Sequence, residues 1–389
     1  MLRRSMSRVV ACALAVAAVG VASTSVAIAH QREEGRKHVR HNDGEHRNHD
    51  GLDGSGIPLG PGYTVTPLVA NEAGDAPKTD AHLVNGWGIS AGPTTQPTPW
   101  WVSNQGTNTS TLYTGDGTPQ ALVVAVPGGP TGTVFNGGSG FPVMSGGKPV
   151  ASRFIFATLA GTIEGWPTPP PVTTATVTAI PAAGHAVFTG LAISADSKKL
   201  YAADFANAKV DVWDGTWAPV STPGAFTDPY LTPGMGYAPF GIQALNGSIF
   251  VTYAKQPATP GPEVHGRGLG IVDEYSPTGA FIARVGSFGN LNAPWGLAMA
   301  PATFGTHAGE LLVGNFGDGH ITTFVKLPSG RWLADDQLRD ANGRRIAIDG
   351  LWGIGFGNGG AAGPTTSLYF AAGPDHAHDG LFGTVTANP

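Results

Sequence analysis

Trp87-Gly88-Ile89-Ser90, Thr131-Gly132-Thr133-Val134, Thr189-Gly190-Leu191-Ala192-Ile193, Phe240-Gly241-Ile242, Trp295-Gly296-Leu297-Ala298 and Trp352-Gly353-Ile354-Gly355 are six copies of one phrase. Their glycines stand 44, 58, 51, 55 and 57 residues apart. A strand-like run follows each copy: residues 100–104, 154–158, 200–204, 249–253, 311–315 and 368–372. A period of about 40 to 60 residues built from short strands is the mark of a β-propeller, and six copies give six blades.

Composition agrees. Of 389 residues only 13% are charged, while 58 are Gly and 32 are Pro, as expected of many short strands joined by tight turns. No long run outside the extreme N-terminus carries apolar residues at helical spacing. The formal charge of −5 gives no reason to expect a nucleic-acid partner.

Residues 1–29 have the pattern of a secretory signal: Arg3, Arg4 and Arg8, an apolar run over residues 9–21, and Ala27-Ile28-Ala29 as a small-x-small cleavage site. The apolar run is short for a membrane span, so the expected product is secreted, with no span after cleavage. The single cysteine, Cys12, would leave with the signal, and the mature chain would then have no thiol for a disulfide, a nucleophile or a metal. Residues 30–57 are rich in charge and nearly free of large apolar side chains, the composition of a disordered tether. They hold His30, His38, His41, His46 and His49, a tract that can also bind metal weakly.

The propeller is assigned to residues 58–389. Residues 63–70 are a strand candidate ahead of the first phrase. After residues 368–372 and 381–386 no room remains for a fourth strand in the last blade. The N-terminal strand is therefore expected to complete that blade and close the ring, which removes open sheet edges. Third strands are expected to carry an aromatic between blades: Tyr113, Trp166, Trp213, Tyr275, Phe324 and Phe382.

The run from Leu200-Tyr201-Ala202-Ala203-Asp204 through Val210-Asp211-Val212-Trp213-Asp214 resembles an NHL-type propeller repeat. Across residues 63–386 the chain resembles an uncharacterised family of exported bacterial propellers. The resemblance rests on Leu83-Val84-Asn85-Gly86-Trp87-Gly88-Ile89, Asn292-Ala293-Pro294-Trp295-Gly296-Leu297, Val313-Gly314-Asn315-Phe316-Gly317-Asp318 and Ile348-Asp349-Gly350-Leu351-Trp352-Gly353. Some members of that family carry a PEP-CTERM sorting tail, which this sequence lacks. The resemblance implies a fold and no established activity.

In such a fold the loops that lead into the innermost strands gather at one channel mouth, together with the loops between second and third strands. Functional residues concentrate on loops held by a rigid scaffold. The ligand-binding candidates there are Asn85, Trp87, Lys255, Asn292, Trp295, Asp349 and Trp352. Asn104, Asp204 and Asn315 each end a second strand. With Asp375 they are candidate ligands for a hard cation such as calcium, as in the ring of lactonase-like propellers. The same Asx side chains also suit turns, where they bond nearby backbone amides. His376 and His378 alternate, so on a strand both would face one side and with Asp375 could hold zinc or iron or act as acid and base; the alternative is an exposed loop. Glu263 and His265 lie in the longest insertion, roughly residues 256–270, and resemble the His and Glu of streptogramin-lyase-like propellers. Trp87, Trp295 and Trp352 fit either packing at the axis or an aromatic floor for a ligand. No serine nucleophile elbow, phosphate loop or dinucleotide fingerprint is present.

Two functions are thus open. One is a secreted, monomeric binding module for a glycan, peptide, small molecule or envelope component at the channel mouth. The other is a metal-dependent hydrolase or lyase with a calcium or zinc cofactor.

Overall fold

The computed structural model describes residues 60–167, 174–182, 184–232 and 234–389; the expected signal and tether lie outside them. Six antiparallel sheets form a six-bladed β-propeller. The innermost strands are Gly86–Ser90, Pro130–Phe135, Phe188–Ile193, Tyr237–Leu245, Pro294–Met299 and Leu351–Phe356, and each contacts the next around a closed circle. The second strands follow the sequence reading closely: Trp100–Asn104, Leu311–Asn315 and Leu368–Ala372 match it residue for residue. We call the face where the inner strands begin the upper face, and the opposite one the lower face.

The repeated phrase has one mechanical role. In every blade the pairing between the inner and second strands shifts register across the residues around the phrase glycine. Such a bulge bends the strand towards its neighbour. None of the six glycines has a positive φ, so space and not conformation is what they supply. A Cβ on Gly88, Gly132, Gly190, Gly241, Gly296 or Gly353 would lie no farther than 2.9 Å from backbone atoms of the following blade. The contact is cyclic: Gly88 meets the carbonyl of Thr131, Gly296 that of Trp352, and Gly353 that of Trp87, closing the circle.

The ring closes as expected. Tyr63–Ala70 pairs antiparallel with Leu381–Ala387 and becomes the outer strand of blade 6. Its register runs from Tyr63 opposite Ala387 to Ala70 opposite Leu381, with a bulge between Pro67 and Val69. A bulge is where a proline, which has no N–H to give, is tolerated in a sheet. Tyr63 then pins this strand to blade 5. Its hydroxyl donates to the Phe304 carbonyl at 3.1 Å, and its ring lies 4.8 Å from that of Phe304.

Seven buried apolar clusters hold the described residues together. Six lie between successive blades and one on the axis. Each expected third-strand aromatic is buried in one of the interblade clusters. Blade 3 is the exception to the four-stranded pattern, with only Phe188–Ile193, Lys199–Asp204 and Lys209–Asp214. An isolated bridge between Trp213 and Pro219, with the Val220 N–H on the Val212 carbonyl at 2.8 Å and the Asp214 N–H on the Ala218 carbonyl at 2.9 Å, stands where its outer strand would run.

The glycine circle predicts a sharp contrast. Gly353→Ala puts a methyl 2.6 Å from the Trp87 carbonyl, so the backbone must move, at about 1–3 kcal/mol. Gly261→Ala, on an exposed loop with its nearest neighbour at 3.7 Å, should stay within about 0.5 kcal/mol of wild type. Denaturant melts of the two variants check this.

Candidate functional site

The residue before each phrase glycine points to the axis. Four are aromatic (Trp87, Phe240, Trp295 and Trp352) and two are threonines (Thr131 and Thr189), all of them buried. Trp87 stacks on Trp352 at 3.5 Å between centroids. Trp295 meets both edge-on, at 6.1 and 5.9 Å. Trp295 also reaches past blade 4, where its indole N–H donates to the Thr189 carbonyl of blade 3 at 2.9 Å. Thr131 and Thr189 turn their hydroxyls to the carbonyls of Phe188 and Phe240, at 2.7 and 2.8 Å. The narrow axis takes four large rings, and the two threonine positions leave the room for them. The tryptophans thus form a plug and not an open floor.

Above the plug the expected residues are largely occupied with one another. Asn85 accepts the Trp352 indole N–H at 3.0 Å and donates to Gln105 at 2.8 Å. Phe316 stacks on Trp352 at 3.7 Å, and the edge of His265 approaches Phe316 at 4.9 Å. His265 Nε2 lies 2.9 Å from Glu263 Oε1. Asn292 is buried, takes the Gly266 N–H at 2.7 Å, and gives its own N–H to Asn315 at 3.2 Å. The Lys255 ammonium donates to the Met235 carbonyl and sits 5.2 Å above the Tyr237 ring. Asp349 accepts the Asp375 N–H at 3.0 Å.

Asn104, Asp204 and Asn315 are buried, and their hydrogen bonds remain within their own blades. Asp204 receives the N–H groups of Val187 and Asn207, each at 3.2 Å, and the Asn207 amide at 2.7 Å. Asn315 bonds Asn292, Asn290 and Asp318, and Asn104 bonds Thr109 and Thr111. For Asp204 and Asn315 the effect is to brace the loop that leads into the inner strand. His376 and His378 lie on the loop between second and third strands, where the chain makes a tight turn. Asp375, His376 and Ala377 take left-handed φ values of 50°, 54° and 68°. Such a run costs about 1–2 kcal/mol per residue. The two histidines therefore do not share a strand face; both are exposed, and His378 Nδ1 lies 2.8 Å from the Asp375 carbonyl.

A further opening lies at the other end. Below the glycine circle the inner strands diverge around a cavity of about 900 Å³ lined by all six blades. Ile89, Val134, Ile193, Leu297 and Ile354 form its wall, with Ser90, Ser194, Gln243, Asn246 and Asn358 towards the rim. Thr133, 6% exposed, also lines it, and its hydroxyl has no hydrogen-bond partner. The sequence reading looked for function at the upper mouth and passed over this one. Its lining residues are ordinary strand ends, and only the ring brings them together.

Two ionisable groupings were also missed. In blade 4 the Arg284 guanidinium is shared by two buried carboxylates, Asp273 at 2.6 Å and Asp228. Tyr275 donates to Asp273 at 3.2 Å, and Tyr253 lies 2.6 Å from the Tyr275 hydroxyl. Burial, set against Arg284 and reinforced by Asp228, pushes the Asp273 carboxyl up to about 7. In blade 5, His307, Glu310 and Asp335 bring one ligand atom each within 4.8 Å of one another. The i, i+3 spacing of His307 and Glu310 was visible, but Asp335 joins them only through strand pairing.

No protein-family model matches the chain. It is 30% identical to the uncharacterised protein R648 of Acanthamoeba polyphaga mimivirus over 348 residues, 84% of this chain and 82% of R648. The chain belongs to the family of R648. A second mimivirus protein, the uncharacterised L690, is 29% identical over 335 residues, covering 83% of this chain and 85% of L690. Among solved structures, a Bacteroides thetaiotaomicron protein of unknown function aligns with a TM-score of 0.51 and 12% identity, covering 83% of this chain and 76% of that one. That likeness concerns the fold alone.

The shared arginine gives a pH prediction. The folded state keeps on Asp273 a proton that an unfolded aspartate releases near its ordinary 3.8. Stability tied to that proton is complete below the unfolded value and is lost as pH rises through about 7. The melting temperature should therefore fall from about pH 5 to about pH 8. Asp273→Asn, which leaves Asp228 paired with Arg284, should flatten this fall; thermal melts across that range measure it.

Proposed function

We propose that the protein is a binding module whose ligand enters the lower cavity. The observation that carries this reading is the cavity itself: about 900 Å³, walled by aliphatic side chains, with serine, glutamine and asparagine side chains and the Asp196 carboxylate also on its lining. An apolar concavity with a few placed polar groups is the usual form of a ligand site. Ser90, Gln243 and Asn246 match a polar ligand such as a short peptide segment or a glycan, and Asp196, the one carboxylate among the lining residues, disfavours an anion. Export, favoured by the pattern of residues 1–29 and by the resemblance to exported bacterial propellers, would put such a ligand outside the cell.

A second reading keeps the hydrolase or lyase at the upper mouth, favoured by the 2.9 Å His265–Glu263 pair beside Phe316. A base held by a carboxylate is the minimum for proton abstraction.

Glycan and peptide arrays probed with the protein, followed by titration of the hits, separate the two. Ser90→Trp, which fills the cavity, should abolish binding. Gln243→Ala, which removes an amide from the cavity lining, should weaken it by about 1–3 kcal/mol. Binding unchanged in both variants would remove the lower cavity from consideration. Turnover of a lactone or glycan lost in His265→Ala would replace the binding reading with the enzymatic one.

A further inference from the structure

We propose that His307, Glu310 and Asp335 form a site for a divalent cation of the zinc class, at the seam where the ring closes. His307 ends the short turn Gly305–His307 in the lower-face loop of blade 5. Glu310 follows on the same loop, just before the second strand Leu311–Asn315. Asp335 comes from the outer strand Trp332–Gln337. One loop thus delivers two ligand atoms and the outer strand the third.

The geometry fits the cation. His307 Nδ1 lies 3.0 Å from Glu310 Oε2 and 3.5 Å from Asp335 Oδ2. Zinc bonds of about 2.0–2.2 Å at tetrahedral angles set neighbouring ligand atoms about 3.3–3.6 Å apart, so the Asp335 separation already matches and the Glu310 one must open by about 0.3 Å. An imidazole with two carboxylates leaves a fourth position for water. Calcium is a poor match, since it takes six to eight oxygens and not an imidazole nitrogen.

An ordinary ion pair does not account for the arrangement. His307 and Glu310 alone would satisfy one another. Asp335 is drawn to the same nitrogen, and among the described residues His307 is the one ion-pair partner it has. Nδ1 carries at most one hydrogen, so it cannot donate fully to two carboxylates; a cation between the three atoms serves all of them. Asp336, the next carboxylate, is engaged elsewhere, with Arg339 at 3.0 and 3.1 Å. Thr323, whose hydroxyl lies 3.4 Å from the same nitrogen, also takes the Asp336 N–H at 3.2 Å and so ties the outer strand to the site.

The location gives the site a consequence. The His307 N–H donates to the Tyr63 hydroxyl at 3.3 Å, and the two rings stack at 5.9 Å. Tyr63 begins the strand that closes the ring. A cation that fixes the loop of His307 therefore fixes the anchor of the closing strand.

The test uses the whole chain with His30, His38, His41, His46 and His49 replaced by Ser, so that the N-terminal histidines do not contribute. Calorimetric titration with Zn²⁺ should give one ion per chain. The melting temperature should rise with Zn²⁺, because a ligand that binds only the folded state stabilises it, and should not rise with Ca²⁺. Asp335→Asn, at a half-exposed side chain, should fold normally and weaken Zn²⁺ binding about tenfold or more. Glu310→Gln should do the same. No Zn²⁺ bound, no rise in melting temperature at saturation, or undiminished binding in Asp335→Asn would each overturn the proposal.

Discussion

The structure depends on how closely six inner strands approach one another around an axis. At the repeated phrase each strand's backbone lies against the carbonyl or amide of the next, at distances no side chain survives. Glycine is required there for space, and the register shift in each blade is the bend that brings the backbones together. Once that circle exists, the residue before each glycine must point into a narrow channel. Its composition follows from volume. Three tryptophans and a phenylalanine fill the axis, and two threonines stand aside and bond neighbouring carbonyls.

The plug divides the channel. Above it, Asn85, Asn292 and Asp204 spend their hydrogen bonds on loops and on the indole of Trp352, so the polar residues there hold the upper face in shape. Below it, the ends of the inner strands from all six blades line a cavity. Membership of the R648 family extends the architecture to viral proteins that are themselves uncharacterised, so chemistry has to be argued from the sites.

Closure and completion of the ring rest on polar chemistry at two places. At the seam, Tyr63 links the outer strand of blade 6 to the loop that carries Phe304 and His307. At blade 3 the missing outer strand leaves the segment that follows to pack against blades 3 and 4. Phe226 is buried there beside Tyr201 and Tyr275, and Asp228 joins Asp273 on Arg284. One guanidinium between two buried carboxylates holds that segment down, at the cost of a retained proton near neutral pH.

The sequence by itself determined the blade count, the second strands, the third-strand aromatics and the strand that closes the ring. Each of these is written in local, repeated signals: glycine where backbones touch, alternating apolar residues where blades stack, and turn residues between. It could not choose between two readings of Trp87, Trp295 and Trp352, because a residue at a fixed register says nothing about how much room the axis has. It left open whether His376 and His378 share one face or sit on an exposed loop; three successive left-handed residues put them on a turn. The tertiary structure alone decided where open space lies and which charges meet. Ile89, Thr133 and Leu297 belong to different blades and line one cavity only because the ring closes. His307 and Asp335 stand 28 positions apart and share an atom's neighbourhood only because the strands of blade 5 pair in register. Period and residue type are properties of the chain taken locally, while cavities and ligand sets depend on distances that exist only after closure.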